Sequence, residues 1–388
     1  MPALTSDSVR EVLALAGGEQ TPGTATLLHA LDAAEHETAQ VAAVVRCLAR
    51  AGADGHTVLP LGLLTEMLVG QGASAEQSAA AIAGAVDLGH VLAFGAEESG
   101  DDHPDADADA DAEAEARRAP EPLLSLAEIG MAEEAVAEGL LSLLATAEVV
   151  FADVPHGATV PAGAVDLRNA DVVAAAVLLE RAADASRVVL LGDSGLPAPG
   201  GPGQLVADLL AVAPEIGLRV ETASGGGTVG AVITALCGAV RAGTLAPVDD
   251  PTREVVVVRA ADGAEAAHRA GQLVTDSLPR ALGLSGDDVA VVSPLRRGPG
   301  GVDALRAAGL PAFTARAAMG RTWPGVVAVL PPEACGVLSR PLVYAMFTRA
   351  TRHLSIVHAA GPVLVRAVRE TGARPRRTRL PDLLRGGS

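Results

Sequence analysis

Asp193 closes the apolar run Arg187–Gly192 and opens a loop that carries Gly200, Gly201 and Gly203. A carboxylate at the C-terminal end of a buried strand, followed by a tight glycine loop, is where open α/β sheets place their ligand chemistry. Aspartate also caps turns readily, so a loop-capping role competes with a chemical one. Arg296 and Arg297 stand side by side ahead of Gly298 and could touch a nucleic-acid backbone or face solvent on a turn. Arg376 and Arg377 lie in an arginine-rich stretch, RPRRTR, which suits phosphate binding or a solvated tail. The stretch SGGGTVG at 224–230 has the glycine content of a phosphate loop, but it lacks a lysine and follows no convincing strand.

Absences bound the chemistry further. The chain contains no lysine, so the phosphate loop G-x-x-x-x-G-K-[ST] cannot be written anywhere in it. That lysine neutralises the β- and γ-phosphates, and the adjacent hydroxyl binds magnesium. No cofactor is therefore expected, and ATP with magnesium is the ligand these losses argue against. Cys47, Cys237 and Cys335 are widely spaced and odd in number, which fits a reduced cytoplasm and gives no CxxC metal site. No HxxxH pair occurs among the nine histidines, so no metal is expected.

The elements that must position these residues follow from hydrophobic pattern. The runs EVVFA (148–152), RVVLLGD (187–193), EVVVVR (254–259), DVAVVSP (288–294), GVVAVLP (325–331) and LSIVH (354–358) are continuously apolar and β-branched. Between them lie amphipathic stretches at 171–185, 228–242, 263–282 and 302–308. Buried strands alternating with helices predict an α/β fold with two parallel sheets flanked by helices. Residues 1–95 show helical spacing and predict a small all-α, winged-helix-like domain ahead of the sheets. Residues 96–122 hold eleven acids against Arg117 and Arg118, half of the chain's net charge of −18, and predict a solvated, disordered linker. Residues 123–247 and 248–370 then form the two sheet domains, and 371–388 a basic tail.

Aromatic residues are 2% of the chain, with one Trp323 and one Tyr344, so cores are aliphatic and little is available to stack bases. The first twenty residues lack an export pattern, and the longest apolar stretch, 172–179, is short for a membrane span. A cytoplasmic, membrane-free location is expected.

Four ordered stretches resemble the RecD-like branch of superfamily 1 DNA helicases, with their UvrD-like C-terminal domain. RVVLLGDSGLPAPGGPGQLVADLL (187–210) resembles the family's strand-ending GD and its glycine-proline loop, with Gly195 near the place of the usual glutamine. VVSPLRRGPGGVDAL (291–305) resembles its P-x-R-R-G segment. TARAAMGRTWPGVVAVLP (314–331) resembles its T-x-H-x-x-Q-G motif, keeping Thr314 and Gly320 but carrying Arg316 and Met319 in place of the His and Gln. LSRPLVYAMFTRATRHLSIV (338–357) resembles the last helicase motif, in which Arg349 matches the arginine that reaches nucleotide phosphates.

The resemblance implies P-loop-NTPase-like (RecA-like) sheets, with 123–247 a remnant of the first motor domain without its phosphate loop and 248–370 the second. It implies a nucleotide cleft lined by Asp166, Gly192, Asp193, Thr314, Gly320 and Arg349, and DNA contacts through Arg296, Arg297, Arg376 and Arg377. Asp166 matches the magnesium-side aspartate, but Leu167 stands where the family's water-orienting glutamate belongs. The expected protein is a helicase homologue linked to DNA repair or recombination that does not hydrolyse ATP and retains at most weak binding of DNA or nucleotide. The alternative is a protein-interaction or regulatory module on a helicase-derived scaffold.

Overall fold

Capping residues set the N-terminal helices. Thr21 accepts a hydrogen bond from the Thr24 N–H at the start of the helix Pro22–Ala34, and Thr38 does the same for Val41 at the start of Ala39–Ala53. Ser74 and Gln77 form a reciprocal capping box at the start of Ala75–Asp87. The helix Ala39–Ala53 is the centre of this bundle, with Val44, Val45, Cys47 and Ala49 fully buried. Three short strands close the bundle: β1 (Leu59–Pro60), β2 (Val91–Phe94) and β3 (Leu123–Leu126), antiparallel in the order β1-β3-β2. This computed structural model describes residues 5–16, 21–95, 121–223, 228–248 and 250–386. Most of the expected acidic linker and of the SGGGTVG loop lies outside the described residues.

The apolar runs become two parallel sheets. The first holds β4 (Glu148–Asp153), β5 (Val165–Asp166), β6 (Arg187–Gly192) and β7 (Arg219–Thr222) in the order β5-β6-β4-β7. The second holds β8 (Val255–Arg259), β9 (Val289–Ser293), β10 (Ala312–Thr314), β11 (Trp323–Leu330) and β12 (Ala350–His358) in the order β10-β9-β11-β12-β8. Val326–Leu330 of β11 is wholly buried, as a strand covered by helices on both faces must be. The expected class, α/β with parallel sheets flanked by helices, therefore holds. No helix among the described residues is long and apolar enough to cross a membrane.

Three boundaries differ from expectation. β3 lies at the start of the expected first sheet domain but pairs with β1 and β2 of the helical region. The helix Ala231–Arg241 falls before the expected break at 247, yet Ile233, Cys237 and Val240 pack with Tyr344 and Phe347 into the second sheet's core. The segment after 371 is not a free tail. Its helix Leu380–Leu384 buries Leu380 and Leu384 in the same core as the N-terminal helices and the first sheet. The physical reason is local: those leucines need cover, and a buried acceptor, Glu133, receives the helix's first amides.

Candidate functional site

The parallel strands β4 and β6 end side by side, Asp153 opposite Gly192, so Asp153 and Asp193 emerge together where the first sheet meets the second. Both carboxylates are buried. Gly192 is required by packing: a Cβ there would collide with the ring of Phe151. Ser194 donates its N–H to Asp153 Oδ1 and its hydroxyl to Asp153 Oδ2, each at 3.0 Å. Asp193 Oδ1 accepts from the Gly195 N–H at 2.9 Å, so the carboxylate does cap its own loop.

The second sheet's helices complete the cluster. Arg241 donates through Nη2 to Asp153 Oδ2 and to Ser194 Oγ, and its Nε lies 3.7 Å from Asp193 Oδ1. Tyr344 donates its hydroxyl to Asp193 Oδ2 at 2.8 Å and accepts from the His156 N–H at 3.0 Å. The ring of His156 donates Nε2–H to the Ala350 carbonyl at 3.0 Å. Burial lowers the His156 imidazole to about 4, so the ring is neutral near pH 7. Burial likewise raises Asp193 above the usual carboxylate range, partly offset by its bonds from Gly195 and Tyr344. A Cβ on Gly195 would run into Tyr344 and Arg241, so the missing side chain is what lets the two sheets close.

The other expected residues do not converge on this point. Asp166, at the end of β5, binds its near neighbour Arg168 in bidentate fashion at 3.0 and 2.7 Å. Burial pushes its carboxyl up, but the bonds and charge of Arg168 outweigh that and hold it below the usual range. Leu167 is fully buried, its N–H bound to the Leu191 carbonyl, and its side chain offers no hydrogen-bond acceptor. Thr314 Oγ1 accepts from the Ala317 N–H at 3.1 Å and shapes the turn after β10. Gly320, at φ +76, closes that turn against Asn169 of the first sheet region.

Arg349 corrects an expectation. Its guanidinium does not reach across the cleft but donates to the carbonyls of Ala318 and Arg321 and to Thr348 Oγ1, all within the second sheet domain. Burial lowers it to about 10, and its Nε has no partner among the described residues. A guanidinium this buried takes the nearest carbonyls because an unpaired donor away from water is costly.

The expected DNA-facing arginines divide. Arg296 and Arg297 sit on the turn after β9, near Asp303 and Glu11 respectively. Arg376 is a structural clamp: it donates to the carbonyls of Pro199, Gly201 and Gly203 and lies across Gly55. Arg377 keeps an exposed side chain, while its N–H binds His56 Nδ1 at 2.9 Å. No group of His, Cys, Asp and Glu able to hold a metal occurs among the described residues.

Asp153 and Arg241 were not anticipated. The signal is present: EVVFAD ends on an aspartate as VVLLGD does, and two carboxylates at neighbouring strand ends favour a cation between them.

No protein-family model matches the chain, and no curated protein does. Among solved structures, arterivirus nonstructural protein 10, a helicase, aligns at 15% identity over 63% of this chain and 67% of its own, with a TM-score of 0.31. The PRRSV helicase aligns at 15% identity over 62% of this chain and 58% of its own, also at 0.31. The fold is defined by its own strand order.

Proposed function

We propose that the chain is a RecD-like helicase homologue, linked to DNA repair or recombination, that has lost ATP hydrolysis. The observation supporting this reading is the closed contact between the sheets. Asp153, Asp193, Arg241, Tyr344 and His156 saturate one another where a motor of this family would open to admit a triphosphate. The supporting losses are chemical. There is no lysine to neutralise phosphate charge, Leu167 cannot orient water, and Arg349 is engaged within its own domain. Phosphoryl transfer depends on several positive charges fixed around the developing transition state, and one arginine does not supply them.

Any remaining DNA contact falls to exposed arginines such as Arg297 and Arg377. It is weak and strongly salt-dependent, since phosphate contacts without base stacking or base-edge readout behave that way. The test is an ATPase assay with the full chain and single-stranded DNA. No turnover above the buffer rate is expected. Motor-like turnover that disappears in Arg349→Ala would overturn the reading.

A further inference from the structure

Beside the closed contact between the sheets, with Asp193 and Ser194 at its edge, a cavity of about 740 Å³ opens toward the N-terminal helices. Leu196, Pro197, Val206, Leu210 and Leu342 form an apolar wall. The lining also carries Arg168, Arg296, Arg316, Arg374 and Arg376 against only Asp54 and Asp193. In a chain of net charge −18, that concentration of guanidinium groups is opposite in sign to the molecule as a whole.

Most of these charges have internal partners. Arg168 holds Asp166, Arg376 holds the loop carbonyls, Asp193 holds Tyr344, and Asp54 pairs with Arg50 at 3.2 Å. The guanidinium groups of Arg316 and Arg374 have neither a hydrogen bond nor an ion pair among the described residues. Arg316 is half-buried, and the loss of water around it lowers its pKa, partly offset by the attraction of Asp54, while Arg316 and the nearby Arg376 repel each other. A half-buried guanidinium with no hydrogen-bond acceptor, beside a like charge and sharing Asp54 with Arg50, is left with unused donors. An anion entering the cavity would engage them.

We propose that this cavity binds a small organic phosphate, its phosphate held by Arg316 and Arg374 and its apolar body laid against Leu196, Val206 and Leu210. Guanidinium forks match phosphate oxygens in pairs, which a single carboxylate satisfies less fully. The volume suits a small ligand, and no aromatic side chain lines the cavity to stack bases. Asp193, Thr314, Arg296 and Arg376 also line the cavity, but the proposal stands on the charge and free donors of Arg316 and Arg374 rather than on the helicase-derived reading.

The test uses the full chain with 1-naphthyl phosphate and inorganic pyrophosphate as probes, followed by calorimetry and thermal unfolding. Both are expected to bind and raise the unfolding temperature, with 1-naphthol itself showing no effect. Arg316→Leu is expected to weaken binding by about tenfold or more, since it removes a charge-assisted contact. It should leave the unliganded protein about as stable as the parent, because the half-buried guanidinium it removes makes no hydrogen bond and only a charge interaction with Asp54. Arg369→Ala, beside Glu370 and away from the cavity, should bind as the parent does. Absence of binding by both probes at millimolar concentration, or unchanged affinity in Arg316→Leu, would overturn the proposal. So would oligothymidylate binding through Arg316 while the small phosphates fail.

Discussion

The hydroxyl of Tyr344, on a helix of the second sheet domain, donates to the carboxylate of Asp193, on a loop of the first, at 2.8 Å. The same oxygen accepts from the His156 N–H at 3.0 Å, so one buried phenol joins a strand end, a loop and a helix. Burial and the adjacent Asp193 charge raise its pKa well above the usual phenol value, so it remains a donor at any ordinary pH. Tyr344→Phe keeps the packing and deletes both bonds, leaving Asp193 Oδ2 and the His156 N–H unsatisfied. A loss of about 1–3 kcal/mol is expected, the scale of an orphaned buried polar group. Urea unfolding measures it, and an unchanged midpoint would mean the contact contributes nothing to closure.

Glu133 supplies a pH dependence. Its Oε1 accepts from Thr57 Oγ1 and from the N–H groups of Arg379 and Leu380, while its Oε2 is buried without a partner. Burial raises its carboxyl to about 7 against those bonds. The folded pKa therefore lies above the unfolded one, and the folded state holds the extra proton between them. The contribution is fully present below the unfolded value near 4.5 and is lost as pH rises through about 7. Its size is on the order of 3 kcal/mol. Asp208, raised by burial to about 6, adds a loss of the same sign. Glu133→Gln keeps an acceptor for the helix amides and gives the second position a donor. Chemical denaturation between pH 4.5 and 8 should therefore show a much shallower decline in the variant than in the parent.

Arg376 is expected to behave as a clamp rather than as a DNA contact. Arg376→Ala frees the loop carbonyls of Pro199, Gly201 and Gly203, and should lower the unfolding temperature while leaving the salt slope of any DNA binding unchanged. A reduced slope at parental stability would return Arg376 to the DNA-facing set. Removing 371–388 should be more severe, because it uncovers the core that Leu380 and Leu384 fill.

Gly192→Ala places a methyl group against the Phe151 ring at the end of β6. Overpacking of this kind costs about 1–3 kcal/mol. The variant should unfold earlier in thermal denaturation, and Phe151→Leu combined with it should recover part of the loss. Additive losses in the double variant would show that the ring is not what excludes the methyl.

The strands buried on both faces were legible because continuous Val and Leu runs have few alternative uses. β5 and β7 were not, since a two-residue edge and the exposed run RVET leave no periodic signal. The stretch 263–282 reads as one helix, but a π turn at Leu273–Ser277 interrupts it just ahead of Pro279, which cannot donate an N–H. Chain order alone puts the helix Ala231–Arg241 with the first sheet, whereas its packing is set by Tyr344 and Phe347 far downstream. Charge misled most at the tail. Arg376 and Arg379 have the composition of a solvated segment, yet backbone carbonyls and Glu134 receive them, and acceptors of that kind leave no trace in composition.

A single apolar core contains Val9 and Leu13 near one end of the described chain and Leu380 and Leu384 near the other. The contacts that seal it, such as the Thr57 N–H to the Arg377 carbonyl, join residues 320 positions apart. During synthesis the amino-terminal bundle must wait, partly uncovered, until translation has passed Leu384. Premature termination would therefore leave aliphatic surface open at the opposite end of the polypeptide, and refolding from denaturant should be slow for a protein so rich in local helix.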